Sequence, residues 1–187
     1  MVNTRACLLA TLSALFTSVA ALPSPQTYGY PSGMTAAGLS SFYLVTTSSS
    51  NATTNSSALP NVKALSLFDP YYQPSYYLRI IDPGYGSLPT FNLTDGTLQT
   101  LANAPRGPAV HLYNSTSVVE DEELQFLPEE QPAGNLALKG GYLLTVDGES
   151  EGWSICVGDL EQKVIVWKGA DDSCEDTFIH AVSTPPY

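Results

Sequence analysis

The sequence predicts a single all-β domain, with a β-trefoil-like barrel as the favoured architecture and a β-sandwich as the runner-up. Three observations lead there. About twelve short apolar runs follow one another between residues 41 and 184, roughly one every 12 residues, and turn residues separate them. Several runs alternate apolar and polar residues, the mark of a half-buried strand. The stretch Phe91–Thr100 is echoed 45 residues later by Leu136–Thr145, with Leu, Gly, Leu and Thr coinciding. The same offset sets Val110 and Leu112 over Ile155 and Val157. A period of 45 with four strands per unit fits three lobes and twelve strands, although the first lobe shows no clear copy. No stretch of a dozen residues carries helical periodicity.

In chain order the predicted strands are Phe42–Thr46, Val62–Phe68, Tyr76–Ile81, Thr90–Leu93, Thr97–Leu101 and Ala109–Tyr113. Leu124–Leu127, Asn135–Lys139, Tyr142–Val146, Trp153–Val157, Val164–Lys168 and Phe178–Val182 complete the set. Phe91 and Leu93 share a face, with Asn92 pointing outward; Leu136 and Leu138 share another; Trp153, Ile155 and Val157 share a third. Trp153 and Trp167, each inside an apolar strand, are expected in the core. Asp95-Gly96 and Gly140-Gly141 sit between paired runs and Asp147-Gly148 follows another. Such dipeptides accept the positive φ that two-residue hairpins require. A domain of this length buries about 70% of its unfolded surface and needs no metal to fold.

Residues 1–21 read as a secretory signal peptide: Arg5 supplies the positive n-region, an apolar run follows, and small residues close it near Ala20 and Ala21. The run is too short for a membrane span. Residues 22–40, rich in Pro, Ser, Gly and Tyr, read as a flexible leader, and 46–59 as a flexible loop of Ser, Thr and Asn. The segment Ser183–Tyr187 carries no hydrophobic tail, so no lipid anchor is expected. Export also fits four glycosylation sequons, at Asn51, Asn55, Asn92 and Asn114. Without the signal, Cys156 and Cys174 remain as an even pair in an oxidising compartment and are expected to form a disulfide. Closing that loop restricts the unfolded chain by about 3 kcal/mol in the chain-entropy model. The expected location is extracellular or in a cell wall.

Charge and motifs exclude several classes. The mature chain sets six Lys and Arg against 18 Asp and Glu, a formal charge of −12. Nucleic acid and anionic membrane surfaces want a basic patch, and none is present. His111 and His180 lie in predicted strands outside any HxxxH or HExxH context, and no GxSxG elbow occurs. No catalytic residue is therefore expected; a small secreted hydrolase is the remote alternative. The acidic runs at 120–123 and 129–130 read as solvated loops. Asp171, Asp172, Glu175 and Asp176 flank Cys174 without EF-hand spacing, so no metal is expected, and no phosphate loop or other cofactor signature is present. The segment 69–85 gathers Tyr71, Tyr72, Tyr76, Tyr77 and Tyr85 among prolines and glycines. Exposed rings on a turn-rich loop stack on sugars, so Tyr71, Tyr72, Tyr76 and Tyr85 are the candidate glycan-binding residues. The competing expectation is that Tyr77 and its strand neighbours are core and the rest cover a barrel end.

The C-terminal half carries a resemblance. Gly140-Gly-Tyr-Leu-Leu-Thr-Val-Asp-Gly148, Gly152-Trp-Ser-Ile-Cys-Val-Gly158, Val164-Ile-Val-Trp-Lys-Gly169 and the stretch from Cys174 to Ala181 resemble the PhiA-like group of fungal phialide cell-wall proteins. Met34-Thr-Ala-Ala-Gly38 and Phe42-Tyr-Leu44 are also similar to that group. The resemblance covers about 45 C-terminal residues well and the rest of the mature chain loosely; the Ser/Thr loop and the Tyr/Pro segment depart from it. It implies a small secreted ascomycete wall protein, allergen-like, with the cysteine pair at Cys156 and Cys174 and no assigned catalytic residue. The expected function is then a secreted, N-glycosylated structural or interaction protein, probed by a monomer's contacts with wall polysaccharide or other wall proteins. A lectin-like module using the tyrosine segment is the alternative.

Overall fold

The computed structural model describes residues 39–84 and 86–187. The predicted signal peptide, the predicted leader up to residue 38 and Tyr85 fall outside the described residues. Thirteen strands are present among those described: β1 (Tyr43–Thr47), β2 (Lys63–Phe68), β3 (Tyr76–Ile81), β4 (Phe91–Thr94), β5 (Thr97–Asn103), β6 (Val110–Ser115), β7 (Gln125–Leu127), β8 (Leu136–Lys139), β9 (Leu143–Val146), β10 (Trp153–Val157), β11 (Lys163–Trp167), β12 (Glu175–Asp176) and β13 (Phe178–Val182). Twelve coincide with the predicted runs. The extra one, β12, is two exposed acidic residues held against Ser154 and Ile155 of β10, with no apolar signature to announce it.

Strand pairing decides between the two architectures. β1 runs antiparallel to β13, β4 to β5, and β8 to β9. Backbone bonds link these pairs into a ring: Phe42 and Phe91 exchange two (2.9 and 2.7 Å), Leu136 N–H donates to Gly96 O (3.0 Å), and Ala181 N–H donates to Tyr142 O (2.7 Å). Three further hairpins, β2–β3, β6–β7 and β10–β11, meet one another. Tyr76 pairs with Phe126, Val164 with Arg79, and Glu123 bridges to Val166. A six-stranded barrel capped by three converging hairpins is trefoil-like, and not two stacked sheets.

This arrangement explains the echo. The β4–β5 and β8–β9 hairpins occupy equivalent places in successive lobes, and both turn through paired positive φ, at Asp95-Gly96 (48° and 76°) and Gly140-Gly141 (64° and 80°). Gly96 is needed twice over, because a Cβ there would lie 2.2 Å from the Gly134 carbonyl. That close approach seats the Leu136 bond that joins the second lobe to its neighbour.

The core lies inside the barrel and under the hairpins. Phe42, Phe91, Leu98, Phe126, Trp153 and Ile165 are almost fully buried there. Trp153 packs edge-on against Trp167 at 5.0 Å and donates its indole N–H to Leu144 O at 3.0 Å, so its single donor is satisfied. Cys156 and Cys174 are bonded and, with Phe68, Val164 and Val166, form a second small cluster. Gly169 lies against both sulfurs, where a Cβ would come within 2.7 Å.

Three expectations need correction. Val157 does not share the burial of Trp153; it is 52% exposed, and Val110 in the preceding lobe is 59% exposed. Both residues sit at hairpin ends, paired with Lys163 and Asn103, beyond the layer that covers the strand. The segment 46–59 is also more anchored than its composition implies. β1 runs on to Thr47, Leu59 packs with Val45 and Val182, and Ser183 N–H donates to Thr54 O (3.1 Å). Leu39, assigned to the leader, packs against the main core.

Candidate functional site

The tyrosine segment divides in two. After β2, Asp69 Oδ1 accepts from Tyr71 N–H (2.9 Å), a turn that throws Tyr71 and Tyr72 outward. Tyr71 is 54% exposed and Tyr72 72%. Tyr72 has φ 54°, in the left-handed region that costs a bulky residue roughly 1 kcal/mol or more. Tyr76 and Tyr77 begin β3 and obey its alternation. Tyr76 packs on the main core, meets Tyr113 edge-on at 4.9 Å and donates its hydroxyl to Asn103 O at 2.6 Å. Tyr77 lies against Phe68 at 6.2 Å. Burial raises the phenol pKa of both above the ordinary value.

Tyr71 and Tyr72 line an open cleft of about 520 Å³ with Pro74, Arg106, His111 and Tyr113. The opposite wall comes from the β5–β6 hairpin, closed by Ala104 N–H donating to Ala109 O at 2.7 Å, which carries Arg106 at its tip. His111 packs edge-on to Tyr113 at 6.5 Å. Among the described residues no carboxylate lines the cleft. Burial first, then the charges of Asp69 and Glu129, raise the pKa of Tyr113. The cleft therefore offers stacking faces and three side chains with N–H donors, Gln73, Arg106 and His111. That is chemistry for a polyhydroxylated ligand, held by rings and a few polar groups.

A second cleft, of about 410 Å³, is lined by Tyr77, Thr116, Ser117, Glu122, Glu123 and Gln125. Glu123 is half-buried against Gly158, where a Cβ would come within 2.6 Å of its carboxylate. Burial, and then the charge of Asp159, raise its pKa above the ordinary carboxylate value. Asp159 is also the hydrogen-bond acceptor of the Tyr71 hydroxyl, and that bond is the main cause of the raised Tyr71 pKa. One contact thus ties the exposed tyrosines to the β10–β11 turn.

The structure places the remaining candidates as follows. Tyr76, grouped with the binding residues by sequence, supports the cleft from below and does not line it. Tyr85 lies outside the described residues. Asn51 and Asn55 are exposed, Asn92 is half-buried, and Asn114 is buried. The Asn114 amide accepts from Gln99 Nε2 (2.9 Å) and donates to Glu129 O (3.1 Å). His180 is buried with Nδ1 at 3.5 Å from Thr53 O, and burial lowers its pKa. Among the described residues neither histidine hydrogen-bonds a hydroxyl, thiol or carboxylate. Asp171 accepts from Ser173 N–H at 2.8 Å, and no cluster of three acidic, His or Cys side chains suited to a metal occurs among the described residues. No helix among them is long and apolar enough to cross a membrane.

Sequence reasoning missed Arg106, His111 and Tyr113 as cleft residues. They lie some 30 to 40 positions from Tyr72 and belong to another lobe, so only the trefoil-like pairing could have brought them together. Comparison of the chain with protein-family models, with curated proteins and with solved structures finds no match.

Proposed function

We propose that this chain is a secreted, N-glycosylated, non-catalytic interaction protein of the fungal cell wall or extracellular space, and that it holds polysaccharide in the Tyr71–Tyr72 cleft. The observation that carries the reading is the pair of exposed tyrosines at the mouth of a cleft, one of them in a strained backbone conformation. Strain of this kind persists where the surroundings impose it, and it clusters at ligand-holding sites. The export half of the reading rests on the leader pattern, the sequons, the bonded cysteine pair and the resemblance of the C-terminal half to fungal wall proteins. The non-catalytic half rests on the sequence, in which neither His111 nor His180 stands in a catalytic motif, and on the resemblance, which carries no assigned catalytic residue.

The test is retention of the exported protein on a panel of insoluble polysaccharides, including chitin, β-glucan and a mannan. The reading expects retention on at least one, weakened about tenfold or more by Tyr72→Ala. Passage through every matrix, or equal retention of the variant, overturns it.

A further inference from the structure

Four sequons look equivalent in sequence, but the fold gives their side chains different work. We infer that Asn51 and Asn55 are the glycan-bearing positions of the folded protein, and that Asn92 and Asn114 are kept unmodified as structural amides. The inference rests on the proposal that the chain is exported.

N-glycosylation joins the amide nitrogen to the anomeric carbon of a lipid-diphosphate-linked oligosaccharide. The anomeric C–O bond breaks, the diphosphate carrier leaves with its electron pair, and the nitrogen gives up one proton. The modified nitrogen retains a single hydrogen and must have open space for a sugar. Asn51 and Asn55 satisfy both conditions, being exposed on the segment between β1 and β2. Asn55 uses only its oxygen: Oδ1 accepts from the backbone N–H of Ser57 (3.1 Å) and from its hydroxyl (2.8 Å). Its nitrogen is not called on by that turn.

Asn114 fails the condition of open space. Its side chain is 5% exposed and sits opposite Gln99 in the β5–β6 ladder. Its Nδ2 donates to Glu129 O at 3.1 Å, pinning the segment after β7, while its Oδ1 takes Gln99. The next residue, Ser115, is fully buried and accepts from Leu98 N–H at 3.0 Å. A sugar on Nδ2 would push apart two strands and the following loop. At Asn92, the amide in its hydrogen-bonding orientation donates to Phe91 O at 3.3 Å and to Ser40 O. Both amide hydrogens are in use, and a glycan would displace the chain where it enters β1.

The glycans therefore concentrate on one moored segment. Thr54 O within it accepts from Ser183 N–H (3.1 Å), and Thr53 O faces the buried His180 ring. The sugars hydrate a strap that is itself fixed to the C-terminal strand β13.

Peptide mapping of the protein recovered from culture medium tests this, with glycan release by an amidase in heavy-oxygen water so that each occupied Asn reads as labelled Asp. The expected result is label at positions 51 and 55 and none at 92 or 114. Label at 114 or 92 in folded, exported protein overturns the inference, as does export without label at 51 and 55. Retention of the chain inside the cell would instead break the export proposal. Sequon-destroying variants give a second readout that spares the asparagines. Thr53→Ala with Ser57→Ala should remove the mass of both glycans, whereas Thr116→Val and Thr94→Val should leave the mass of the exported protein unchanged apart from the substitution.

Discussion

Tyr71 and Tyr72 stand only a few positions before Tyr76 and Tyr77, yet the two pairs do opposite things. The first pair follows an Asp69 turn and faces solvent, with Tyr72 in the left-handed region. The second pair opens β3, and its rings settle on Tyr113 and Phe68. The side chain is the same; the backbone decides. A ring on a strand is sorted by the pleat, one face toward the core and the next away. A ring on a turn goes where the turn's φ sends it, and one turned outward is available to a ligand.

Substitutions at four positions sharpen or break that contrast. The largest effect belongs to Tyr76→Ala, which removes a core-packed ring and leaves Asn103 O without its partner. It should lower unfolding free energy by about 2–3 kcal/mol in a denaturant titration. A loss under about 0.5 kcal/mol would place Tyr76 with the exposed pair. Next comes Tyr72, where the contrast concerns backbone strain. Tyr72→Gly should be about 1 kcal/mol more stable than Tyr72→Ala, because only glycine adopts φ 54° without penalty. Equal stabilities would remove the argument from strain.

The third effect is a pH dependence at the cleft that Tyr77 lines. Glu123 has its folded pKa raised by burial and by Asp159, so the folded state holds a proton more firmly than the unfolded chain does. Stability is then fully present below the unfolded carboxylate value, near pH 4.3, and is lost as pH rises through the folded one. Glu123→Gln should match the parent in melting temperature near pH 3.5 and exceed it at pH 7. A difference of opposite sign would mean that Glu123 is stabilised as the anion. The smallest effect is spectroscopic. Asp159→Asn removes the main cause of the raised Tyr71 pKa, so one phenol should ionise at lower pH in an ultraviolet titration, with the fold unchanged.

Much of the fold was legible because its signals are local. The alternation in Phe91-Asn92-Leu93 and Leu136-Ala137-Leu138 marks half-buried strands, and the Asp95-Gly96 and Gly140-Gly141 turns take the positive φ their residues allow. What was illegible depends on contacts between lobes. β12 exists because Ser154 and Ile155 offer an edge, and not because Glu175 or Asp176 favours a strand. Asn135 spends both its amide atoms on the backbone of Val118, at 2.8 and 3.0 Å, standing in for a strand pairing that no periodicity announces. The cleft was half legible. A tyrosine cluster points to itself, whereas Arg106 and His111 reach it only through the closure of the second lobe. Asn114 shows the converse, a sequon whose residue type is right and whose place in the β5–β6 ladder spends it on the fold.

The most direct measurement is a residue-by-residue NMR titration of the purified protein with a soluble oligosaccharide of whichever polysaccharide retains it. Saturable shifts confined to Tyr71, Tyr72, Arg106 and His111, with the residues around Glu122 and Glu123 unmoved, is the predicted result. Shifts centred on the glutamate cleft, or scattered with no site that saturates, would contradict the assignment.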